Sequence, residues 1–193
     1  MAKFKFRYGV MNSGKSQELL RIWYSYTDGN ILDKSALVMT PKRDDRYGHG
    51  RVTSRAGQQI PAHVISQETP VRYYLDHFDD FSETECILVD EVQFLSQQDI
   101  YDLKTFVLEH NIPVIAFGLL KDFQNNLFEG SQACIVVAEE IAEVETICSK
   151  CRKKAIMNVR LDANGDKLEH GEQIEIGGNE TYVSVCHDHW LNS

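Results

Sequence analysis

Near the start of the chain stands GVMNSGKS, residues 9–16. It satisfies G-x-x-x-x-G-K-[ST] at every fixed position, and few strings of eight residues restrict a fold as tightly. The pattern works as a turn between a buried strand and a helix. Gly9 and Gly14 permit backbone conformations in which successive N–H groups, running through Val10, Met11, Asn12 and Ser13, face a phosphate. The N-terminus of the following helix adds partial positive charge. Lys15 is the reach to the outer phosphates, and Ser16 carries a hydroxyl suited to Mg²⁺. Both flanks agree with this reading. KFKFRY alternates basic and aromatic residues as a strand does, and Leu19, Ile22, Trp23 and Tyr26 recur at helical spacing until Asp28-Gly29-Asn30. One feature of the strand is unusual: Lys3, Lys5 and Arg7 share a face that a central parallel strand would keep apolar.

The chain continues in alternation. SALVMT (35–40), AHVIS (62–66), ECILVDE (85–91) and PVIAFG (113–118) read as strands, and residues 69–81 and the stretch after Ser96 as helices. Ser96 with Asp99 resembles a capping box, with Leu95 and Ile100 placed as a hydrophobic staple. The charged, Gly-rich segment 41–57 reads as a loop. Strands alternating with helices predict a parallel sheet. From residue 141 the helical signals give way to short strands and turns: AIMNVRL, EQIEIGG, TYVSVC. The expected fold is therefore α/β. A P-loop NTPase-like parallel sheet with helices on both faces spans 1–140, and a small β-rich zinc-binding domain spans 141–193.

The second chemical element is Ile87-Leu88-Val89-Asp90-Glu91, a buried strand ending in two acids. Asp90 is placed to hold Mg²⁺, and Glu91 stands where a general base is often found. The third is Cys148-x-x-Cys151 with Cys186-x-x-His189, two short clamps of tetrahedral ligand types, with His187 as an alternative fourth ligand. Five cysteines, an odd number, argue for metal rather than a disulfide framework. Four protein ligands leave no open position, so this zinc is expected to be structural. Cys86 and Cys134 lie in apolar runs and read as buried hydrophobes. The fourth element is GLLKDFQNNLFEG (118–130), just beyond a buried strand, where open α/β sheets bind ligands; Leu119, Phe123 and Phe128 can line a flat pocket there.

A net charge of −9 argues against a nucleic-acid partner. No apolar run approaches the ~20 residues that span a bilayer, and MAKFKFRYG holds no signal-peptide core. A cytoplasmic address and no membrane partner are expected. On residues alone three functions stay open: a kinase acting on a small hydroxyl, a P-loop ATPase with Glu91 activating water, and a nucleotide-switched zinc-ribbon interaction module.

Taken together the motifs resemble one family. The P-loop, DExQF, GLxxDFxxxxF, CxxC, IGGxExY and CxxHW occur in the order seen in the type II, zinc-containing thymidine kinases, from residue 4 to 190. The resemblance implies ATP and Mg²⁺ as cofactors, structural Zn²⁺, and transfer of the γ-phosphoryl group to the 5′-hydroxyl of thymidine, with deoxyuridine as a further substrate. By match, residues 9–16 cradle the phosphates, Met11 also faces the nucleoside, and Glu91 is the base. Asp90, Val92 and Gln93 complete the phosphate and metal edge. Phe94, Leu119, Phe123 and Phe128 enclose thymine. Gln173, Ile174, Glu175, Ile176 and Gly177 form a lasso whose backbone reads the base, closed by Tyr182 and anchored by Cys148, Cys151, Cys186 and His189. Where the family often reads DTR near the phosphates, this chain has Asp44, Asp45 and Arg46, so Arg46 is kept and an acid replaces the hydroxyl residue. Val92 stands where members have small or varied residues. The family also implies a homotetramer and inhibition by thymidine 5′-triphosphate (dTTP).

Overall fold

A computed structural model describes residues 1–27, 35–43, 50–77, 81–173 and 182–193. The helix stop at 28–30, Asp44, Asp45 and Arg46, and Ile174 to Gly177 of the lasso lie outside them. In chain order the strands are β1 (Phe4–Tyr8), β2 (Ser35–Pro41), β3 (Arg51–Thr53), β4 (Gln59–Pro61), β5 (His63–Ile65), β6 (Thr84–Val89), β7 (Val114–Gly118), β8 (Glu140–Glu143), β9 (Met157–Arg160) and β10 (Tyr182–Val185). The helices are α1 (Lys15–Thr27), α2 (Val71–His77), α3 (Gln97–His110), α4 (Glu129–Val137) and α5 (His187–Leu191). A 3-10 turn, Val92–Phe94, follows β6.

Six strands form one parallel sheet in the order β5-β2-β6-β7-β1-β8. Successive residues of a strand face opposite sides, and both sides here are covered. Along β6, Cys86 and Leu88 pack with Leu19 and Leu20 of α1, Val38 and Phe117. Ile87 and Val89 pack on the other side with Ile100, Leu103 and Phe106 of α3 and Phe4 and Phe6 of β1. That double burial is why these strands read as near-continuous apolar runs. The short hairpin β3–β4 adds Val52 and Ile60 to the α1 side.

The basic face of β1 has a local cause. The strand is next to last in the sheet, and its outer neighbour β8 brings Glu140 beside it. Glu140 pairs with Lys5 at 3.3 Å and with Arg7 at 2.8 Å, and Arg7 Nε lies 3.9 Å from Glu18 of α1. These side chains are a quarter to a third exposed, so the face is half wet and ion pairing replaces apolar cover. The capping box forms as expected: Ser96 Oγ accepts from the Asp99 N–H at 3.2 Å, and Asp99 Oδ2 accepts from the Ser96 N–H at 3.2 Å. Asp99 also accepts from the Val71 N–H at 3.0 Å, which ties α2 to α3. His77 on α2 and His110 on α3 are exposed, and His63 on β5 is half-buried. Burial lowers the His63 imidazole below its usual value.

Beyond β8, β9 and β10 pair antiparallel and build a separate small core. Cys148, Met157, Val159, Val185 and Cys186 are its buried members.

Candidate active site

The phosphate loop occupies the turn from β1 to α1, at the carboxyl ends of the strands. Two residues in it have positive φ: Gly14 at 93° and Asn12 at 67°. The first explains its glycine, and the second uses one of the few side chains that tolerate the left-handed region. Gly9 is required for a different reason. A Cβ there would stand 2.5 Å from Ser13 Oγ and 2.6 Å from the Val144 carbonyl. Lys15 is buried, and its ammonium donates to the carbonyls of Gly9 at 3.2 Å and Val10 at 2.9 Å, folding back over the loop.

Beside it, Ser16 Oγ donates to Asp90 Oδ2 at 3.0 Å, so residues 74 apart in sequence meet at the loop's edge. Burial pushes the Asp90 carboxyl well above its ordinary value, and the charge of Glu91 adds to the rise. The hydrogen bonds from Ser16 and from the Glu91 N–H, with nearby Lys15, offset part of it. A buried acid disfavoured as an anion, next to a hydroxyl, gains by receiving a cation. Ser16 and Asp90 therefore fit Mg²⁺ in donor type and in setting.

Glu91 has φ 50° and ψ 41°, left-handed for a residue with no glycine-like freedom. Such strain, of order 1–3 kcal/mol, concentrates at functional sites. The conformation turns the chain from β6 into the 3-10 turn. Gln93, buried on that turn, donates through Nε2 to Glu91 Oε2 and accepts from the Leu119 N–H at 3.0 Å. One amide thus holds the carboxylate and the start of the aromatic loop together.

Room for this turn comes from two glycines whose role the sequence reading missed. A Cβ on Gly118 would lie 2.7 Å from Gln93 Oε1, and one on Gly130 would lie 2.1 Å from the Val92 carbonyl oxygen. Replacing Gly130 by Ala is expected to destabilise the fold by about 1–3 kcal/mol, because backbone rather than a flexible side chain must move. Urea unfolding of the variant checks this.

Phe94 and Phe128 meet edge to face with centroids 6.4 Å apart. Phe128 and Phe123 are buried, and Leu119 is half-buried. Phe123 lies under the Arg160 guanidinium, 5.3 Å from its ring centre. Asp122, which the sequence reading passed over, organises the loop. Its Oδ1 accepts from the N–H groups of Gln124 at 2.9 Å and Asn126 at 2.8 Å, and its Oδ2 accepts from Gln173 Nε2 at 3.1 Å. An acid followed by Phe-Gln-Asn-Asn is an Asx-turn signal that sequence can carry. Tyr182 opens β10 opposite Arg160 and is largely buried.

Cys148, Cys151, Cys186 and His189 come together with all four ligand atoms within 4.8 Å of one another. Cys148 Sγ lies 3.5 Å and Cys186 Sγ 3.2 Å from His189 Nδ1, and Cys151 Sγ lies 3.8 Å from Cys186 Sγ. A tetrahedron with Zn–S bonds of about 2.3 Å has sulfur–sulfur edges of about 3.8 Å, so the cluster fits zinc. Burial pushes the Cys148 thiol up, but backbone N–H groups of Cys186, Lys150 and Cys151 outweigh it and bring it down to about 6. His187, the alternative ligand, instead stacks on Trp190. Trp190 Nε1 donates to the Phe123 carbonyl at 3.0 Å, joining this unit to the aromatic loop.

Comparison with known proteins agrees with the geometry. The family described as thymidine kinase matches residues 2–190. The chain is 44% identical over 193 residues to a thymidine kinase of Streptococcus thermophilus (strain CNRZ 1066), covering 100% of this chain and 95% of that protein. It is 44% identical over 192 residues to a thymidine kinase of Streptococcus pyogenes serotype M3 (strain ATCC BAA-595 / MGAS315), covering 100% of this chain and 98% of the relative. A phosphate loop with a buried lysine, a two-acid strand end, an aromatic loop and a Cys₃His cluster, on a chain matched almost end to end, place it: the chain belongs to the thymidine kinase family.

Proposed function

We propose that the protein transfers the γ-phosphoryl group of ATP to the 5′-hydroxyl of thymidine, giving ADP and thymidine 5′-phosphate. The observation that carries this is the meeting of Ser16, Asp90 and Glu91 at the edge of the phosphate loop, with Gln93 linking Glu91 to the aromatic loop. The glycine-rich loop, a candidate base and the aromatic loop are thereby linked to one another.

In this reading residues 9–16 hold the ATP phosphates through main-chain N–H groups and Lys15. Ser16 and Asp90 hold Mg²⁺, which neutralises charge on the phosphate oxygens. Phe94, Leu119, Phe123 and Phe128, with Met11, enclose the thymine ring. Glu91, oriented by Gln93, accepts the proton of the 5′-hydroxyl. As that oxygen bonds to the γ-phosphorus, the bond to the bridging oxygen breaks and ADP leaves. Little covalent chemistry falls to the protein, so positioning supplies most of the rate. Residues 1–140 carry the phosphate chemistry in this scheme. Residues 141–193 hold zinc and carry the base-reading segment from Gln173 to Tyr182, with β8 at the seam. Asp44, Asp45 and Arg46 flank the phosphates, as the family resemblance implies. The same resemblance extends the proposal to a cytoplasmic homotetramer inhibited by dTTP; no described helix is long and apolar enough to cross a membrane.

A panel of nucleosides assayed with ATP tests the pocket. Thymidine is expected to be the preferred acceptor, deoxyuridine a weaker one, and purine deoxynucleosides inert. Preference for a purine would overturn the assignment of the aromatic loop.

A further inference from the structure

Met11 lies inside the phosphate loop, yet its main chain is held from outside it. The Met11 N–H donates to Asn158 Oδ1 at 3.0 Å, and the Met11 carbonyl accepts from Ser184 Oγ at 2.5 Å. Ser184 Oγ and Asn158 Oδ1 are themselves 3.5 Å apart. Asn158 on β9 and Ser184 on β10 stand directly opposite in the antiparallel ladder, so their side chains leave the hairpin on the same face at the same level. Both are buried, at 5% and 6% relative exposure. They face away from Met157, Val159 and Val185 of the small core; buried polar side chains are costly unless paired, and the Met11 peptide groups supply the pairing.

The hairpin that grips Met11 is the one that leads into the Cys₃His cluster, with Ser184 two residues before Cys186. The residue after Met11 is Asn12, whose φ of 67° sets the left-handed turn of the loop. That conformation costs about 1–2 kcal/mol for a residue with a Cβ, and it persists where surrounding contacts enforce it. Fixing both the N–H and the C=O of the preceding residue is such a constraint.

We propose that Asn158 and Ser184 are positioning residues for phosphate binding. They clamp the Met11 main chain, set the turn at Asn12, and so pre-shape the loop that receives ATP. The inference rests on the reading of that loop as the ATP site. It assigns part of the loop's geometry to a unit remote in sequence.

The test uses the full-length, zinc-loaded protein. ATP·Mg²⁺ affinity is measured by titration calorimetry for the wild type, Asn158→Leu, Ser184→Ala, their double variant and Ser184→Thr, with zinc content and Tm recorded for each. Each of the first two is expected to raise the ATP Kd about 10-fold, the effect of one lost buried hydrogen bond. The double variant is expected near 20-fold rather than the roughly 100-fold product, because both groups act on one residue. Ser184→Thr keeps the hydroxyl and is expected to stay within about 2-fold of wild type. Unchanged ATP affinity in the zinc-loaded variants, whatever their Tm, would overturn the proposal, as would losses that multiply independently. A wild-type protein with no ATP affinity would instead reject the nucleotide reading itself.

Discussion

Replacing Glu91 by Gln lowers turnover about 10²- to 10⁴-fold, the usual contribution of a positioned general base, while ATP binding stays intact. The substitution is nearly isosteric. It keeps an oxygen to accept from Gln93 Nε2, so the link from the 3-10 turn to Leu119 survives. It removes only the ability to take a proton. Lys15, the main-chain cradle and the Ser16–Asp90 pair are untouched. The expected signature is thus a fall in kcat with little change in the ATP dissociation constant, read by steady-state kinetics beside calorimetry. Near-wild-type kcat would remove Glu91 from the role and leave its left-handed backbone without a catalytic explanation.

Replacing Cys148 by Ser removes one of four ligands from the Cys₃His cluster and is expected to release zinc. The small core holds few large side chains besides the ligands themselves, chiefly Met157, Val159 and Val185. A unit of that size depends on its metal for much of its folding energy. Wild-type protein is expected to carry one zinc per chain and the variant none. Hydrogen exchange in the variant is expected to lose protection first in β9 and β10, while β2, β6 and β7, covered on both faces, keep theirs. Equal protection of β9 in both proteins, or a metal-free wild type, would contradict the zinc assignment.

The features legible in the sequence are those encoded by local spacing. The phosphate loop, the Asp90-Glu91 strand end, the Ser96–Asp99 capping box and the two zinc clamps each declare themselves within eight residues. The parallel sheet follows from apolar runs that both faces require. Less legible was whatever depends on distant partners. Lys5 and Arg7 looked misplaced until Glu140 of β8 stood beside them. Gly118 and Gly130 belong to no motif that explains them, and close approach of the Val92–Phe94 turn does. Asn158 and Ser184 sit in strand-like runs with no motif, and their partner Met11 is 147 and 173 residues away. A polar side chain in a buried strand is the one hint they carry, and it says that a partner exists without saying which.

The ordering of these parts has a physical sense. The phosphate loop is anchored to β7 through the Gly9 N–H on the Gly118 carbonyl at 3.2 Å, and to the C-terminal hairpin through Met11. The aromatic loop is anchored to the same hairpin unit through Trp190, and to Glu91 through Gln93. A site built on such crossed supports holds its reacting groups with little freedom, which is what a transfer driven by positioning needs.

The most direct measurement is the stoichiometry of the reaction itself. Purified protein is incubated with ATP, Mg²⁺ and thymidine, and ADP and nucleotide products are quantified by anion-exchange chromatography. The account predicts one thymidine 5′-phosphate for each ADP, with ADP formation negligible when thymidine is left out. ADP formed at the same rate without thymidine, and no thymidine 5′-phosphate in its presence, would contradict it.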